Sequence, residues 1–204
     1  MRQNLLLFAA TVGLIGLTAC NRQEQATNDL SPGQSAPVNA AQDAVGAAVG
    51  ATSAAILGAN TVEGYVNAAT IGDMYEIEAG RLAQEKSQNA QVRSLAQTIV
   101  TDHTAASDEL RPLIIAAGET PPTEMDQRRK GMIDNLRAAS GADFDRAWIN
   151  QQISAHQEAL TLHRGFADDG ADNAGLKAHA AKVVPTIEMH LERARALETA
   201  TEGT

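Results

Sequence analysis

From Thr61 to Leu197 the apolar residues return at every third or fourth position, and that period admits one kind of backbone. Side chains three and four apart share a face of an α-helix, whereas a strand alternates every second residue. Val92, Leu95, Ile99, Leu110 and Ile114 fall on one such stripe, and Val183, Ile187, Ala194 and Leu197 on another. Hydrophobic residues make up 44% of the chain but aromatics only 3%, so the apolar mass is alanine and aliphatic side chains. That balance suits close-packed helices better than sheets.

Turn residues divide this region. The spacing predicts long helices over 62–86, 90–117, 143–166 and 174–198, with a shorter one over 124–138. Gly118 and Pro121-Pro122 stop the second helix, and Thr123 is the expected N-cap of the short one. Ser140-Gly141 and the run 168–172 separate the remainder. Pro112 and Pro185 fall inside long helices, where each removes one backbone donor. The expected fold is all-α: a four-helix bundle over 61–199, with a short extra helix between the second and third long helices and a tail at 200–204.

The chain ahead of the bundle has a different character. A polar start with Arg2 leads into an apolar run from Leu5 to Leu17, the pattern of a secretory signal and too short to span a membrane comfortably. Leu17-Thr18-Ala19-Cys20 resembles a bacterial lipobox, which implies a signal peptide over 1–19 and lipid on Cys20. Asn21 in the next position fits an outer-membrane passenger facing the periplasm. Residues 20–60 read as a lipidated cysteine and tether: Asn21 to Ala41 lacks large apolar residues, and 43–60 is alanine and glycine with Val45, Val49, Ile56 and Leu57. Cys20 is the only cysteine, which excludes an intramolecular disulfide and a thiolate metal cage. Loss of Arg2 with the signal leaves 15 basic against 25 acidic residues, a net charge of −10, which argues against nucleic acid as a partner. The membrane, reached through the lipid, is the partner the sequence implies, and protein partners are not identified by it.

Candidate chemistry lies where polar residues interrupt the stripes. His103 sits on the stripe of the second helix, His156 and His163 on that of the third, and His190 on that of the fourth, which also carries His179. The first helix has two possible phases, one carrying Glu76 and the other Glu78. Three imidazoles and a carboxylate, one from each long helix, are how a bundle holds a metal ion, so Glu76, His103, His156 and His190 form the candidate ligand set. Glu78, His163 and His179 are further candidate polar residues of the core. Such residues also serve as hydrogen-bonded structural groups, and both readings stand at this point. Counted from the 168–172 turn, His190 is staggered from His156 by roughly 10 Å, which disfavours their meeting, whereas His163 and His179 are matched in height.

The stretch Glu76-Ile77-Glu78-Ala79-Gly80-Arg81-Leu82-Ala83, then Asp102-His103-Thr104, Phe144-Asp145, His156, Pro185 and His190-Leu191, resembles the ferritin-like domain-of-unknown-function family 4142 of bacterial envelope proteins. The resemblance covers about Val62 to Leu197. It implies a ferritin-like bundle in an exported protein and no established activity. Di-iron bundles place Glu three residues before His on two helices. Val100, Ile153 and Ile187 occupy those places here, which argues against a di-iron centre and leaves one zinc or copper ion as the candidate cofactor. No phosphate loop, nucleophile elbow or metalloprotease helix is present, so no catalytic residue is assigned. Asp102 and His103 are adjacent and point about 100° apart, so they cannot pair with each other. The expected function is a lipid-anchored binding or structural module of the envelope, with a single-metal-ion binding protein as the alternative.

Overall fold

The computed structural model describes residues 59–202. The signal, Cys20 and the tether up to residue 58 lie outside the described residues. The described part is all-helical: α1 Val62–Lys86, α2 Ala90–Ala116, α3 Gln127–Ala138, α4 Gly141–Asp169 and α5 Ala174–Glu202. No helix among them is long and apolar enough to cross a membrane.

The helix starts are dictated locally. Thr61 Oγ1 accepts the Gly64 amide, Asn89 Oδ1 the Gln91 amide and Asn173 Oδ1 the Leu176 amide, each satisfying a first-turn donor that no intrahelical carbonyl reaches. The short helix begins three residues later than Thr123 predicts. Asp126 is its N-cap, accepting the Arg129 amide at 2.7 Å, because a carboxylate offers that donor a charge as well as an acceptor. Gly118, at φ +77°, ends α2 in a conformation other residues adopt only with strain. Pro112 and Pro185 are accommodated within continuous helices. The folded region also begins slightly before its first helix: the Ala171 amide donates to the Asn60 carbonyl, and Ala59 packs on the core.

The four long helices pack in a ring, α1 against α2 and α4, and α5 against α2 and α4, with α3 lying on α1 and α4. Connections of three residues (87–89) and four residues (170–173) return the chain along the preceding helix. Gly80 sets how closely α1 and α2 approach. A Cβ there would stand 2.6 Å from Val100 Cγ2 and 3.1 Å from the Ala96 carbonyl oxygen.

The apolar core is divided. One cluster is built on Trp148, Phe144, Tyr75, Leu95, Ile99 and Ile133. A second, toward the 170–173 turn, contains Tyr65, Leu110, Ile114, Leu162, Phe166 and Leu176. Between them along every long helix come the buried polar residues: Asp73 and Glu76 on α1, His103 on α2, Gln152 and His156 on α4, and His190 on α5. A smaller cluster of Leu160, Ile187 and Leu191 closes the α4–α5 side.

Candidate metal centre

The three histidines converge. One ring nitrogen from each of His103, His156 and His190 lies within 4.8 Å of the others, and all three residues are buried. The ring centroids are 5.2–5.7 Å apart. His156 Nε2 and His190 Nδ1 are in contact at 3.2 Å. The expected stagger of α4 against α5 is therefore wrong. His156 stands 13 residues before Asp169, where α4 ends, and His190 stands 16 residues after Ala174, where α5 begins. A difference of three residues is about 4.5 Å of rise, which two imidazoles bridge by leaning toward each other. Asp168 and Asp169 belong to α4, and α5 begins only at Ala174, so counting from the turn overstated the stagger.

Each histidine is held by its outer nitrogen. His103 Nδ1 donates to Asp73 Oδ1 at 2.8 Å, and Ser107 Oγ fixes the other Asp73 oxygen at 2.9 Å. His156 Nδ1 donates to the Gln152 carbonyl at 2.9 Å, one helical turn back. His190 Nε2 faces Asp102 Oδ2 at 3.0 Å. A backbone carbonyl and two carboxylates can only accept, so these partners favour a proton on each outer nitrogen, and in the neutral form of each ring the inner nitrogen then carries a lone pair. His103 Nε2 has no partner. His156 Nε2 and His190 Nδ1 face each other at hydrogen-bonding distance.

The charged form of either ring is disfavoured. Burial pushes His156 down to about 3, assisted by the charge of His103. His190 is likewise held down to about 4 by burial and by His156 and His103, despite Asp102. His103 behaves differently: burial opposes its protonation, but the bond to Asp73 and the charges of Asp73, Glu76 and Asp102 prevail and raise its pKa.

The remaining candidates are dispersed. Glu76 is buried beside the cluster, its Oε1 3.7 Å from the outer nitrogen of His156 and its Oε2 unpartnered. It does not join the three converging nitrogens. Burial raises its pKa to about 7, against the pull of His103 and the buried Arg129. Glu78 is not a core residue; it pairs at 2.9 Å with Arg137 at the partly exposed rim. His163 belongs to a separate arrangement, its Nδ1 3.1 Å from the Tyr65 hydroxyl, on a ring stacked against Phe166. His163 and His179 line a cavity of about 170 Å³ that reaches Asp73, Asp102 and His103.

Asp73, Asp102, Gln152 and Arg129 are the residues that the stripe pattern did not single out as supports. Asp102 had one available signal: it cannot pair with His103, its neighbour in sequence, so it must face a different helix, which is α5. Asp73 had a weaker one, a carboxylate one turn before Glu76 on a helix whose phase was ambiguous.

The family model described as a domain of unknown function, DUF4142, matches residues 47–197. The chain belongs to this family. No curated protein and no solved structure matches the chain significantly. The DUF4142 match extends ahead of α1 into residues read from the sequence as tether, and it spans all three converging histidines and their partners.

Proposed function

We propose that this DUF4142 protein is an envelope lipoprotein, anchored through Cys20, whose ferritin-like bundle binds a single zinc or copper ion through His103 Nε2, His156 Nε2 and His190 Nδ1. The observation that carries the reading is the convergence of three buried rings: one nitrogen each from His103, His156 and His190 lies within 4.8 Å of the others, and the opposite nitrogen of each ring faces an acceptor. Histidine ligands of metals are held by carboxylates and carbonyls in this manner, which fixes the tautomer and raises ligand basicity. The 3.2 Å between His156 Nε2 and His190 Nδ1 matches the separation of about 3.3 Å between two nitrogens bound tetrahedrally at about 2.0–2.1 Å from zinc.

Neutral imidazoles without thiolate or thioether favour zinc or copper, and a ring of three nitrogens leaves a further coordination position.

Two measurements test the proposal. Elemental analysis of the mature protein, and titration of the chelator-treated protein with Zn²⁺ and Cu²⁺, are expected to give one ion per chain, with His103→Gln, His156→Gln or His190→Gln lowering occupancy sharply. A protein that takes up neither ion, or triple replacement that leaves uptake unchanged, removes the metal reading. For the anchor, mass spectrometry of the mature N-terminus is expected to find lipid on Cys20, and Cys20→Ser to release the protein from the membrane fraction. A mature chain starting elsewhere, or without lipid, defeats that part alone.

A further inference from the structure

The three ligand nitrogens are enclosed: His156 is 1% exposed and His190 0%. An ion reaching them must cross the bundle wall, and a built metal site needs an entry path. A cavity of about 170 Å³ beside the centre touches a ligand residue, His103. Its lining includes the buried Asp73, His103, His163 and His179, the partly exposed Asp102, and at the surface Glu109 and Lys182. His103 belongs to both cavity and centre, with its Nε2 unpartnered. At the rim Lys182 Nζ lies 2.7 Å from Glu109 Oε2, and both side chains are about half exposed or more.

The lining has the chemistry of a cation path. Three carboxylates face one lysine, and that lysine is engaged by Glu109. Carboxylates attract a hydrated divalent ion and raise its local concentration, while imidazoles supply nitrogen ligands as water is shed. An anion would meet the opposite field.

We infer that this cavity is a vestibule: an outer, weaker site in which Glu109, His179 and His163 hold a partly hydrated divalent cation before it passes to His103 and the enclosed centre. The inference rests on the metal reading above. Lys182 covers the entrance by occupying Glu109, and an arriving cation competes with it for that carboxylate. A transit site speeds arrival and departure alike, so it changes rates while leaving the affinity of the inner centre in place.

Stopped-flow absorbance with Co²⁺ as the probe separates these quantities on the full chain, because the ion develops a visible band when it enters a nitrogen-rich tetrahedral site. Glu109→Gln and His179→Gln are each expected to slow association about tenfold, within the range of electrostatic effects on arrival, and to slow release by a similar factor, leaving Kd within about twofold. Lys182→Met is expected to accelerate both. Glu109 and Lys182 are surface residues, so these two variants report on the path even where His179→Gln perturbs folding. Wild-type association rates retained by Glu109→Gln and Lys182→Met would overturn the vestibule while leaving the centre intact. Absence of Co²⁺ uptake by the wild type would overturn the centre itself, and the vestibule with it.

Discussion

Two levels of one bundle, eight residues apart on α4, fill space by opposite means. Around Trp148 the helices meet through large apolar side chains, and the one polar atom of the indole, Nε1, donates to the Ala79 carbonyl at 3.0 Å. Around His156 they meet through imidazoles, carboxylates and an amide, and Glu76 Oε2 and His103 Nε2 are left without partners. The first level is self-sufficient: its stability comes from area removed from water, roughly 25 cal/mol per Å² of apolar surface. The second leaves buried polar atoms unmatched. A layer that only had to hold helices together would be built like the first, and the proposed metal site would account for the difference.

Trp148→Ala is expected to give the largest effect, a loss of about 3–5 kcal/mol by denaturant unfolding. It should leave the stabilisation by added Zn²⁺ unchanged, since the two levels are about 12 Å apart along α4 and distant sites add independently. Non-additivity well beyond about 0.5 kcal/mol would break the division into separate levels.

Acid is expected to act on the polar regions alone. Burial holds His163 down to about 4. The unfolded chain, with its histidine near 6.5, therefore binds a proton that the folded protein refuses as the pH falls below 6.5. Stability is fully present above that value, declines toward pH 4, and levels off below the folded pKa, for a loss of about 3 kcal/mol at roughly 1.4 kcal/mol per unit. His163→Gln should flatten this part of the profile, whereas Trp148→Ala should shift the whole curve without changing its slope. An unaltered slope in His163→Gln would show that the imidazole is not buried neutral.

Metal supplies the next effect. Zn²⁺ at about a hundredfold excess over Kd should stabilise the protein by about 2.7 kcal/mol, and His156→Gln should abolish that increment. Were His156→Gln to keep it, the polar level would be no more a binding site than the Trp148 level is.

Gly80→Ala is expected to cost the least, about 1–3 kcal/mol, by pressing a methyl group against Val100 where α1 and α2 are closest. Its interest is in metal affinity: a spread at Gly80 moves Asp73 relative to His103, so a modest stability loss should accompany weaker binding. Unchanged affinity would show that the α1 support is dispensable.

Much of the apolar level was legible in the sequence because burial repeats with the helical period. Leu95, Ile99 and Ile114 are buried as their stripe requires, and the helix ends follow Asn89, Gly118 and Ser140-Gly141 closely. On α1 the phase carrying Tyr65, Ala69, Glu76, Ala79 and Ala83 faces the core, while Tyr75 alone of the other phase is fully enclosed and Glu78 goes to the rim. The polar level was only half readable. Periodicity places a histidine on a face but says nothing about which nitrogen points where, and that depends on Asp73, Gln152 and Asp102 across the bundle. Axial height, inferred from loop residues, misplaced His190. Cys20 and the tether belong to residues outside those described, so the anchor remains a matter for the N-terminal mass.

Asp102 and His103, neighbours in the chain, reach different helices: Asp102 takes hold of His190 on α5, and His103 of Asp73 on α1. The pair indexes α2 like a key with two teeth. Rotation of α2 about its axis cannot release one link without straining the other, and a single-residue deletion between Asn89 and Asp102 would turn both teeth by about 100° at once. With His103 and His190 on a common ion, the linkage closes on itself, running from Asp102 through His190 and the ion to His103 and back to the next peptide of α2. Sliding α5 along α2 would then require opening a loop anchored twice on consecutive residues, so the metal would act on the bundle as a lock on helix register.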